Sequence, residues 1–204
     1  PAKISLAEAL VKQVHSTFDY SIGETTVSGY TATVTANITT FDSDAILENY
    51  QKELDKLIEK IKKEEKTPRL FLHACCAPCS SYVLEYLSQY FEITVFFYNP
   101  NISLEEEYHK RTEEIRRLVS EMPFTHPVHI VEGNYDPKVF YEMAKGLEKI
   151  PEGGERCFKC YRLRMEEAAK LAREGRYDYF TTTLSISPLK NAEKINEIGE
   201  ELAE

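Results

Sequence analysis

The sequence has 204 residues, of which 42% are hydrophobic and 29% charged, and this composition excludes a chain that is disordered throughout. A chain of this length can form one domain that buries about 70% of its unfolded surface. The formal net charge of -9 does not favour nucleic-acid binding through overall charge, because phosphate contacts come from lysine and arginine. No apolar run approaches the roughly 18 residues of a membrane span, so no membrane partner is predicted.

The first 45 residues differ from the rest of the chain. Residues 4–14 carry apolar side chains three and four positions apart, which predicts one short amphipathic helix. Residues 18–41 are rich in Thr, Val, Tyr and Ile, which predicts two or three strands. The composition shifts near residues 42–44. We therefore predict an unplaced, β-rich N-terminal segment over residues 1–45 and an α/β domain over residues 46–204.

Strands and helices alternate within the second part. Apolar runs predict strands over residues 69–73, 92–98, 126–131 and 177–183. Apolar stripes predict helices over residues 44–63, 80–90, 103–120, 136–146, 156–173 and 190–204. A capping box of Ser103 and Glu106 is expected to begin the third of these helices.

This alternation predicts an α/β fold with a doubly wound parallel sheet. Ligands of such sheets bind beyond the carboxyl ends of the strands, at a topological switch point. Four segments follow predicted strands, and we expect them to meet: the cysteines after residue 74, residues 98–101, residues 134–136 and residues 181–187.

All five cysteines fall into two segments. Cys75, Cys76 and Cys79 follow the first strand of the domain, and Cys157 and Cys160 lie much further along the chain. A Cys-x-x-Cys pair at a helix start can turn both sulfurs to one side, and thiolate sulfur suits zinc and iron-sulfur clusters. The partial positive charge at a helix N-terminus is expected to lower the thiol pKa values. The pattern predicts a metal site.

Three other interpretations of the cysteines stay open: buried thiols without a role, a disulfide, and structural zinc. Two Cys-x-x-Cys pairs have the spacing of a closed four-cysteine zinc site. A fifth thiol argues against that closure, because adjacent Cys75 and Cys76 point in different directions. Clustered, unpaired thiols also favour a reducing compartment, so a cytoplasmic location is predicted.

A basic stretch flanks the second pair of cysteines. Residues 156–176 contain seven basic and three acidic residues, a local net charge of +4. This stretch is either a site for phosphate groups or an ordinary solvated helix face.

Several motifs occur in an order that resembles the epoxyqueuosine reductase family called QueH. They are His73-x-Cys75-Cys76-x-Pro78-Cys79, Tyr98-Asn-Pro-Asn-Ile102, Glu107-Tyr-x-x-Arg111, Cys157-x-x-Cys160-Tyr-x-x-Arg164 and Phe180-Thr-Thr-Thr-Leu-x-x-Ser187-Pro188. The resemblance covers roughly residues 46 to 204, and the family continues beyond this point through a stretch that includes a Cys-Gly-Cys. Residues 46–204 are thus expected to form a QueH-like metal-binding domain.

The resemblance implies an oxidoreductase of queuosine biosynthesis. Its substrate would be tRNA that carries epoxyqueuosine at the wobble position, and its reaction would be a two-electron deoxygenation of the epoxide to the alkene of queuosine. Nothing in the sequence is recognisable as a flavin or nicotinamide site. The electrons are therefore expected from an external low-potential donor through a 4Fe-4S cluster.

The same resemblance assigns roles to residues. Cys75, Cys76, Cys79, Cys157 and Cys160 are the expected ligands, four for the cluster and a fifth for a second, mononuclear iron. Asp136 is the expected oxygen ligand of that iron, or else only a helix N-cap. Asp136, His73 and Cys76 are the predicted catalytic residues, although a lone histidine on a strand is often structural.

Contacts with the tRNA are predicted from the same motifs. Tyr98, Asn99 and Asn101 are expected at the modified base, and Tyr161 is expected either to stack on a base or to pack in the core. Four arginines are expected to hold phosphate groups: Arg111, Arg156, Arg162 and Arg164.

The layout is also similar to the PP-loop (HUP) nucleotide-binding fold. Those ATPases carry a Ser-Gly-Gly-x-Asp-Ser loop after the first strand, whereas this sequence has Ala74-Cys-Cys-Ala-Pro-Cys-Ser80. The loop lacks a glycine that would let the backbone close on phosphate. We interpret it as converted from phosphate binding to metal binding, and ATP use is not expected.

Two alternative functions belong to other classes. The first is a thiol-disulfide oxidoreductase that uses Cys76 and Cys79 and needs no metal. The second is a zinc-stabilised RNA-binding module without catalysis. Iron and acid-labile sulfide distinguish the reductase from both.

Overall fold

A computed structural model describes residues 19–28, 31–39, 55–64, 66–187 and 190–203 of the chain. The helix predicted over residues 4–14 and the first part of the helix predicted over residues 44–63 lie outside these residues. Among the described residues, no helix is long and apolar enough to cross a membrane.

Two antiparallel strands occupy the described part of the N-terminal segment. Strand β1, Asp19–Ser28, pairs with strand β2, Thr31–Thr39, and the register shifts between Ile22 and Thr25. Both strands lie within residues 18–41, whose β-branched residues favour strands. The division of the chain at residue 45 stays a prediction.

The second part of the chain alternates strands and helices. Four strands follow one another: β3 (Arg69–Ala74), β4 (Glu92–Phe97), β5 (Val128–Glu132) and β6 (Tyr179–Thr182). The helices are α1 (residues 55–63 as described), α2 (Ala77–Leu87), α3 (Glu105–Glu121), α4 (Pro137–Ala144), α5 (Glu155–Glu174) and α6 (Ala192–Ala203). A single 3-10 turn, Thr183–Ile186, follows β6.

The four strands form one all-parallel sheet with the order β5-β4-β3-β6. The chain builds the sheet outward from β3 to β4 and β5, and then crosses to the opposite side of β3 for β6. The order therefore reverses at β3, which makes the carboxyl end of β3 the topological switch point. The prediction of an α/β fold with a parallel sheet is confirmed.

Helices cover both faces of the sheet, because successive strand residues point to opposite sides. Leu70, Leu72 and Ala74 of β3 pack on one face in a core that includes Leu84 of α2 and Ile115 of α3. On the other face, Phe71 of β3 and Phe96 of β4 pack against Ala168 and Ala172 of α5. Strands that are buried on both faces have continuous apolar runs, which is why they can be predicted from the sequence.

The predicted capping box at the start of α3 is wrong. The N-cap residue is Leu104, whose side chain cannot accept a hydrogen bond, and the structure has no side-chain cap there. Three glutamates fill the first helical turn instead: Glu105, Glu106 and Glu107. Their negative charges interact favourably with the exposed amide groups of the helix N-terminus.

Candidate metal centre

The first cysteine group, Cys75, Cys76 and Cys79, lies where β3 gives way to α2. Its three Sγ atoms lie within 4.8 Å of one another, and those of Cys75 and Cys76 are 3.7 Å apart. Cys76 is the N-cap of α2, and its Sγ accepts a hydrogen bond of 3.4 Å from the Cys79 amide. Pro78 in the first helical turn needs no hydrogen-bond partner for its nitrogen. The cap of α2 thus brings the sulfurs of Cys76 and Cys79 to the same side of the helix start.

Thr183 contacts the first cysteine group from the 3-10 turn that follows β6. The amide of Cys75 donates to Thr183 Oγ1 at 3.0 Å, and the Thr183 hydroxyl lies 3.4 Å from Cys75 Sγ. Thr183 is fully buried, so these contacts are shielded from water. Sequence reasoning placed residues 181–187 at a strand end without singling out this residue. The signal was a run of three threonines that ends β6 and continues into the turn.

The second cysteine pair, Cys157 and Cys160, lies in the first two turns of α5. Gly153, just before the helix, has a φ of +84°, a backbone angle that residues with a Cβ rarely adopt. This conformation lets the Gly153 amide donate to Cys157 Sγ at 3.3 Å. Cys157 packs against the same apolar cluster as the first cysteine group, and Cys160 is buried. The fold therefore draws the two predicted cysteine segments together.

The expected lowering of the thiol pKa values is wrong for two of the cysteines. Burial, together with the neighbouring thiols of Cys76 and Cys75, raises the pKa of Cys79 to about 12. Burial also raises the pKa of Cys160, although the nearby Arg164 charge opposes this shift. Crowded thiols lose their protons with difficulty, because each new thiolate repels the next. A bound metal cation would lower these pKa values again, because it stabilises the thiolate form.

His73 is completely buried beneath the site. Its Nδ1 lies 2.8 Å from Thr182 Oγ1, and its Nε2 lies 3.0 Å from the Tyr98 carbonyl oxygen. A carbonyl only accepts, so Nε2 carries the proton and Nδ1 accepts from the threonine hydroxyl. Burial and the Arg164 charge lower the pKa of His73 to about 3. His73 is thus a neutral link between three strands, and its catalytic role stays a prediction.

Three residues predicted to contact tRNA are buried. Asn99 donates from Nδ2 to the Ala74 carbonyl at 3.0 Å and accepts from Arg164 Nη1 at 3.2 Å. Arg164 is 4% exposed, and Tyr161 packs beside Cys75 in the apolar cluster. Each of these side chains contacts protein groups around the cysteines. Their predicted contacts with tRNA stay predictions.

Tyr98 and Asp136 lie close enough to influence each other. The pKa of Tyr98 is raised by burial and then by the charges of Glu167 and Asp136. A Cβ on Gly133 would lie 2.5 Å from the Tyr98 ring, so only glycine leaves room for this ring. Asp136 is the N-cap of α4 and accepts from the Lys138 amide at 3.0 Å. Its predicted role as an iron ligand stays a prediction.

Asn101 carries a buried acceptor at the end of β4. Among the described residues, its Oδ1 atom has no hydrogen-bond partner. An unpaired buried acceptor is unfavourable by about 1–3 kcal/mol, so such atoms are rare unless a ligand or water supplies the donor. Sequence reasoning placed this residue at the modified base.

Three of the seven cations of the basic stretch form ion pairs with acidic side chains among the described residues, namely Lys159, Arg162 and Lys170. Arg162 contacts Glu201 and Glu166, and Lys159 contacts Glu155. The pattern favours the solvated helix face for these two residues, because ion pairs satisfy their charges. Arg156 differs, since its guanidinium donates to the Glu148 carbonyl at 3.1 Å.

A cavity of about 620 Å³ opens between α2 and α3 beside the first cysteine group. It brings together two residues predicted separately, Cys76 at one side and Arg111 at the other. Arg111 Nε donates to Glu107 at 2.7 Å, while its two terminal nitrogens have no partner among the described residues. The other lining residues are Ala77, Pro78, Ser81, Glu114, Arg117, Leu118, Glu121 and Met122.

The cysteines fit a soft metal. All five are free thiols, three of their sulfurs already converge, and Cys157 lies against the same cluster. Sulfur donors select zinc, iron-sulfur clusters and related soft centres over magnesium or calcium. Fold and site therefore define an α/β protein with a cysteine group that could bind a metal at the end of a central parallel strand.

Comparison with known proteins identifies the family. The family model described as epoxyqueuosine reductase QueH matches residues 70–204, and the chain belongs to this family. The match begins at β3 and includes both cysteine segments and the last helix. It leaves the N-terminal segment outside.

Individual relatives show the same similarity. The chain is 43% identical to epoxyqueuosine reductase QueH of Staphylococcus epidermidis over 155 residues, which cover 74% of this chain and 65% of that protein. The protein of the same name from Streptococcus pyogenes is 40% identical over 153 residues, with 74% and 60% covered. The Staphylococcus aureus protein is 41% identical over 155 residues. The chain thus spans less than two thirds of these relatives.

Proposed function

We propose that the chain carries the catalytic domain of an epoxyqueuosine reductase. The observation that carries this proposal is the three-sulfur group at the end of β3, which lies within the region matched by the family model and borders a cavity. The relatives bear this activity in their names. The substrate would be tRNA that carries epoxyqueuosine at the wobble position.

The proposed reaction removes one oxygen atom from the substrate. Both carbon-oxygen bonds of the epoxide break, a carbon-carbon double bond forms, and the oxygen leaves as water. The balance requires two electrons and two protons. When bound, a 4Fe-4S cluster would supply the electrons one at a time from an external low-potential donor, as soft thiolate ligation allows.

Four of the five cysteines would hold that cluster. Cys75, Cys76, Cys79, Cys157 and Cys160 form the candidate set, and the structure supports them by placing both segments on one apolar cluster. The remaining thiol and Asp136 would hold a second, mononuclear iron. A carboxylate suits a harder cation than a thiolate does, which is why Asp136 is assigned to this position.

The cavity beside Cys76 would receive the modified nucleoside. Arg111 keeps two terminal nitrogens for a phosphate group while its Nε stays bound to Glu107. Its bidentate geometry suits phosphate oxygens better than a lysine would. Cys76 faces the same space, so a nucleoside held at Arg111 would approach the first cysteine group.

Other residues would position and desolvate the base. Asn101 Oδ1 offers an unpaired acceptor, which suits an N–H or O–H donor of the substrate. Tyr98 presents a half-buried ring that is fixed by Phe96, whose ring centroid lies 5.7 Å away. Arg156 keeps its predicted phosphate contact. Asp136 and His73 remain the candidates for delivering or orienting protons.

The strand order supports the proposed relation to the PP-loop (HUP) fold. That fold also binds its ligand at the switch point beyond the first strand, where this chain has cysteines instead of glycines. The geometry favours replacement of a phosphate site by a metal site at the same place.

Metal analysis and turnover test the function together. Protein purified without oxygen is expected to be brown and to contain iron and acid-labile sulfide. The full-length protein, given a chemical low-potential reductant and tRNA bearing epoxyqueuosine, is expected to form queuosine, measured by mass spectrometry of the nucleosides. Zinc without sulfide would favour an RNA-binding module. A colourless protein with a reversible Cys76–Cys79 disulfide would favour a thiol oxidoreductase.

A further inference from the structure

Arg164 is a buried cation near the second cysteine pair. Its side chain is 4% exposed, and it forms no ion pair with a carboxylate in the part of the chain that the structure describes. Arg162, two residues earlier on the same helix, pairs with Glu166 and Glu201. A buried charge is strongly unfavourable unless another charge or several hydrogen bonds compensate it. The absence of a carboxylate therefore requires an explanation.

The guanidinium of Arg164 connects the two cysteine segments. Its Nε donates to the carbonyl oxygen of Cys160 at 3.2 Å, and its Nη1 donates to Asn99 Oδ1 at 3.2 Å. Asn99 in turn donates to the carbonyl oxygen of Ala74, the residue before Cys75, at 3.0 Å. We call this chain of contacts the Arg164–Asn99 bridge. Its acceptors are neutral, so the bridge gives partners to Nε and Nη1 of the cation and leaves its charge unbalanced.

The bridge places the Arg164 charge beside both cysteine segments. Its Nε contacts the backbone of Cys160 itself, and through Asn99 it reaches the residue before Cys75. Among the described residues, no carboxylate pairs with Arg164, so its buried positive charge has no anionic partner there.

We propose that Arg164 is the buried counter-charge and positioning residue of the metal centre. It fixes the Cys160 segment against the Cys75 loop, and its positive charge balances the thiolates that hold the metal. The inference rests on the proposed cysteine site but goes beyond it, because it assigns metal retention and redox tuning to a residue that is not a ligand.

Two measurable consequences follow from this role. Adding an electron makes a thiolate-bound cluster more negative, so a nearby fixed cation favours the reduced state and raises the midpoint potential. A bridge that holds two ligand segments together also slows loss of the metal. Removing the Arg164 charge should therefore lower the midpoint potential, whereas breaking its hydrogen bonds should speed loss of the metal.

Three substitutions separate charge from geometry. Arg164→Met removes both, Arg164→Lys keeps the charge but loses the forked contacts, and Arg173→Met is the control, an exposed arginine on the same helix. We expect Arg164→Met to shift the reduction equilibrium about tenfold toward the oxidised state, 59 mV for one electron. Iron release to a chelator should be about tenfold faster. Arg164→Lys should restore the potential but not the release rate.

Asn99→Asp neutralises the charge while Arg164 stays in place. The new carboxylate pairs with the guanidinium, so the potential should fall in the same direction as in Arg164→Met. The variant also loses the donor to the Ala74 carbonyl, so its metal release is not used, and thermal unfolding checks that it is folded. An unchanged potential in both variants, together with wild-type metal release in Arg164→Met, would overturn the proposed role. An Arg173→Met shift as large as that of Arg164→Met would overturn it as well.

The wild-type measurement keeps this inference separate from the proposed function. Iron and sulfide in the wild type test the cluster, whereas the variants are compared only with the wild type. If the wild type holds zinc instead, the release rate of zinc tests the bridge in the same way, and an equal rate in Arg164→Met would contradict it. If the wild type holds the cluster but the Arg164 variants behave like the wild type, the role of Arg164 is wrong and the reductase proposal is unaffected.

Discussion

The two cysteine segments reach the same cluster by different routes. In the first group, Cys76 and Cys79 converge through local structure, because Cys76 caps α2 and its Sγ contacts the Cys79 amide three residues away. The second pair also has a local contact, from the Gly153 amide to Cys157 Sγ, but the Arg164–Asn99 bridge that ties it to the first group spans 65 positions. Local geometry sets the spacing of Cys76 and Cys79, whereas the position of the second pair relative to them is sensitive to changes far from its sulfurs.

The largest expected effect comes from removing a sulfur of the second pair. Cys157→Ala or Cys160→Ala should abolish the cluster, because losing one of the two thiolates at the start of α5 leaves an iron of the cluster without its ligand. Iron and acid-labile sulfide should fall to background, while Lys159→Ala, an exposed change between the two cysteines, should retain both. Full iron and sulfide content in both cysteine variants would exclude the second pair from the site.

Asp136→Asn should have the next largest effect, on turnover and not on the cluster. Asparagine preserves the helix cap, so stability should change by no more than a few tenths of a kcal/mol, roughly the spread among good caps. Loss of an anionic iron ligand removes several kcal/mol of charge stabilisation, or about a hundredfold or more in rate.

The readouts for Asp136→Asn are cluster absorbance, iron not bound in the cluster, and queuosine formed by the full-length protein. Normal absorbance with lost turnover supports the ligand role. Near-normal turnover would leave Asp136 as a helix cap only.

Two glycines with similar backbone conformations test the local contact of the second cysteine pair. Gly153 and Gly146 have φ values of +84° and +82°, and neither would bring a Cβ within 4 Å of another atom. Alanine at either position should destabilise the fold by about 1–2 kcal/mol through backbone strain alone. Only Gly153→Ala should also speed iron loss, because only Gly153 contacts Cys157 Sγ. Equal rates of iron loss in the two variants would show that the contact between Gly153 and Cys157 does not help to retain iron.

The smallest effect concerns tRNA binding by surface arginines. Arg111→Gln should weaken binding and reduce the slope of log K against log salt by about 0.7, as expected for one contact to a single strand. Arg162→Gln should leave the slope unchanged, because Arg162 is already paired with two glutamates. Filter binding at several salt concentrations measures both. The reverse pattern would place the tRNA on α5 instead of the cavity.

The sequence predicts the elements of the site better than its connections. Cys75 and Thr183 each follow an apolar strand, so their meeting at one sheet edge follows from the parallel fold. Burial of Arg164 is harder to predict, although its position four residues after Cys160 places it on the same helix face. Its partner Asn99 lies 65 positions away, and sequence reasoning had counted Arg164 as a surface cation. Long-range packing decides which polar residues become internal.

Thr183 has a consequence for how the protein matures. It contacts Cys75 across 108 positions of sequence, from a 3-10 turn that follows the last strand of the sheet. The loop around Cys75 therefore cannot complete its hydrogen bonds until β6 has joined the sheet. Contacts of such high sequence separation form slowly, because the intervening chain must be ordered first. We therefore expect a metal held by this loop to bind only after β6 is in place.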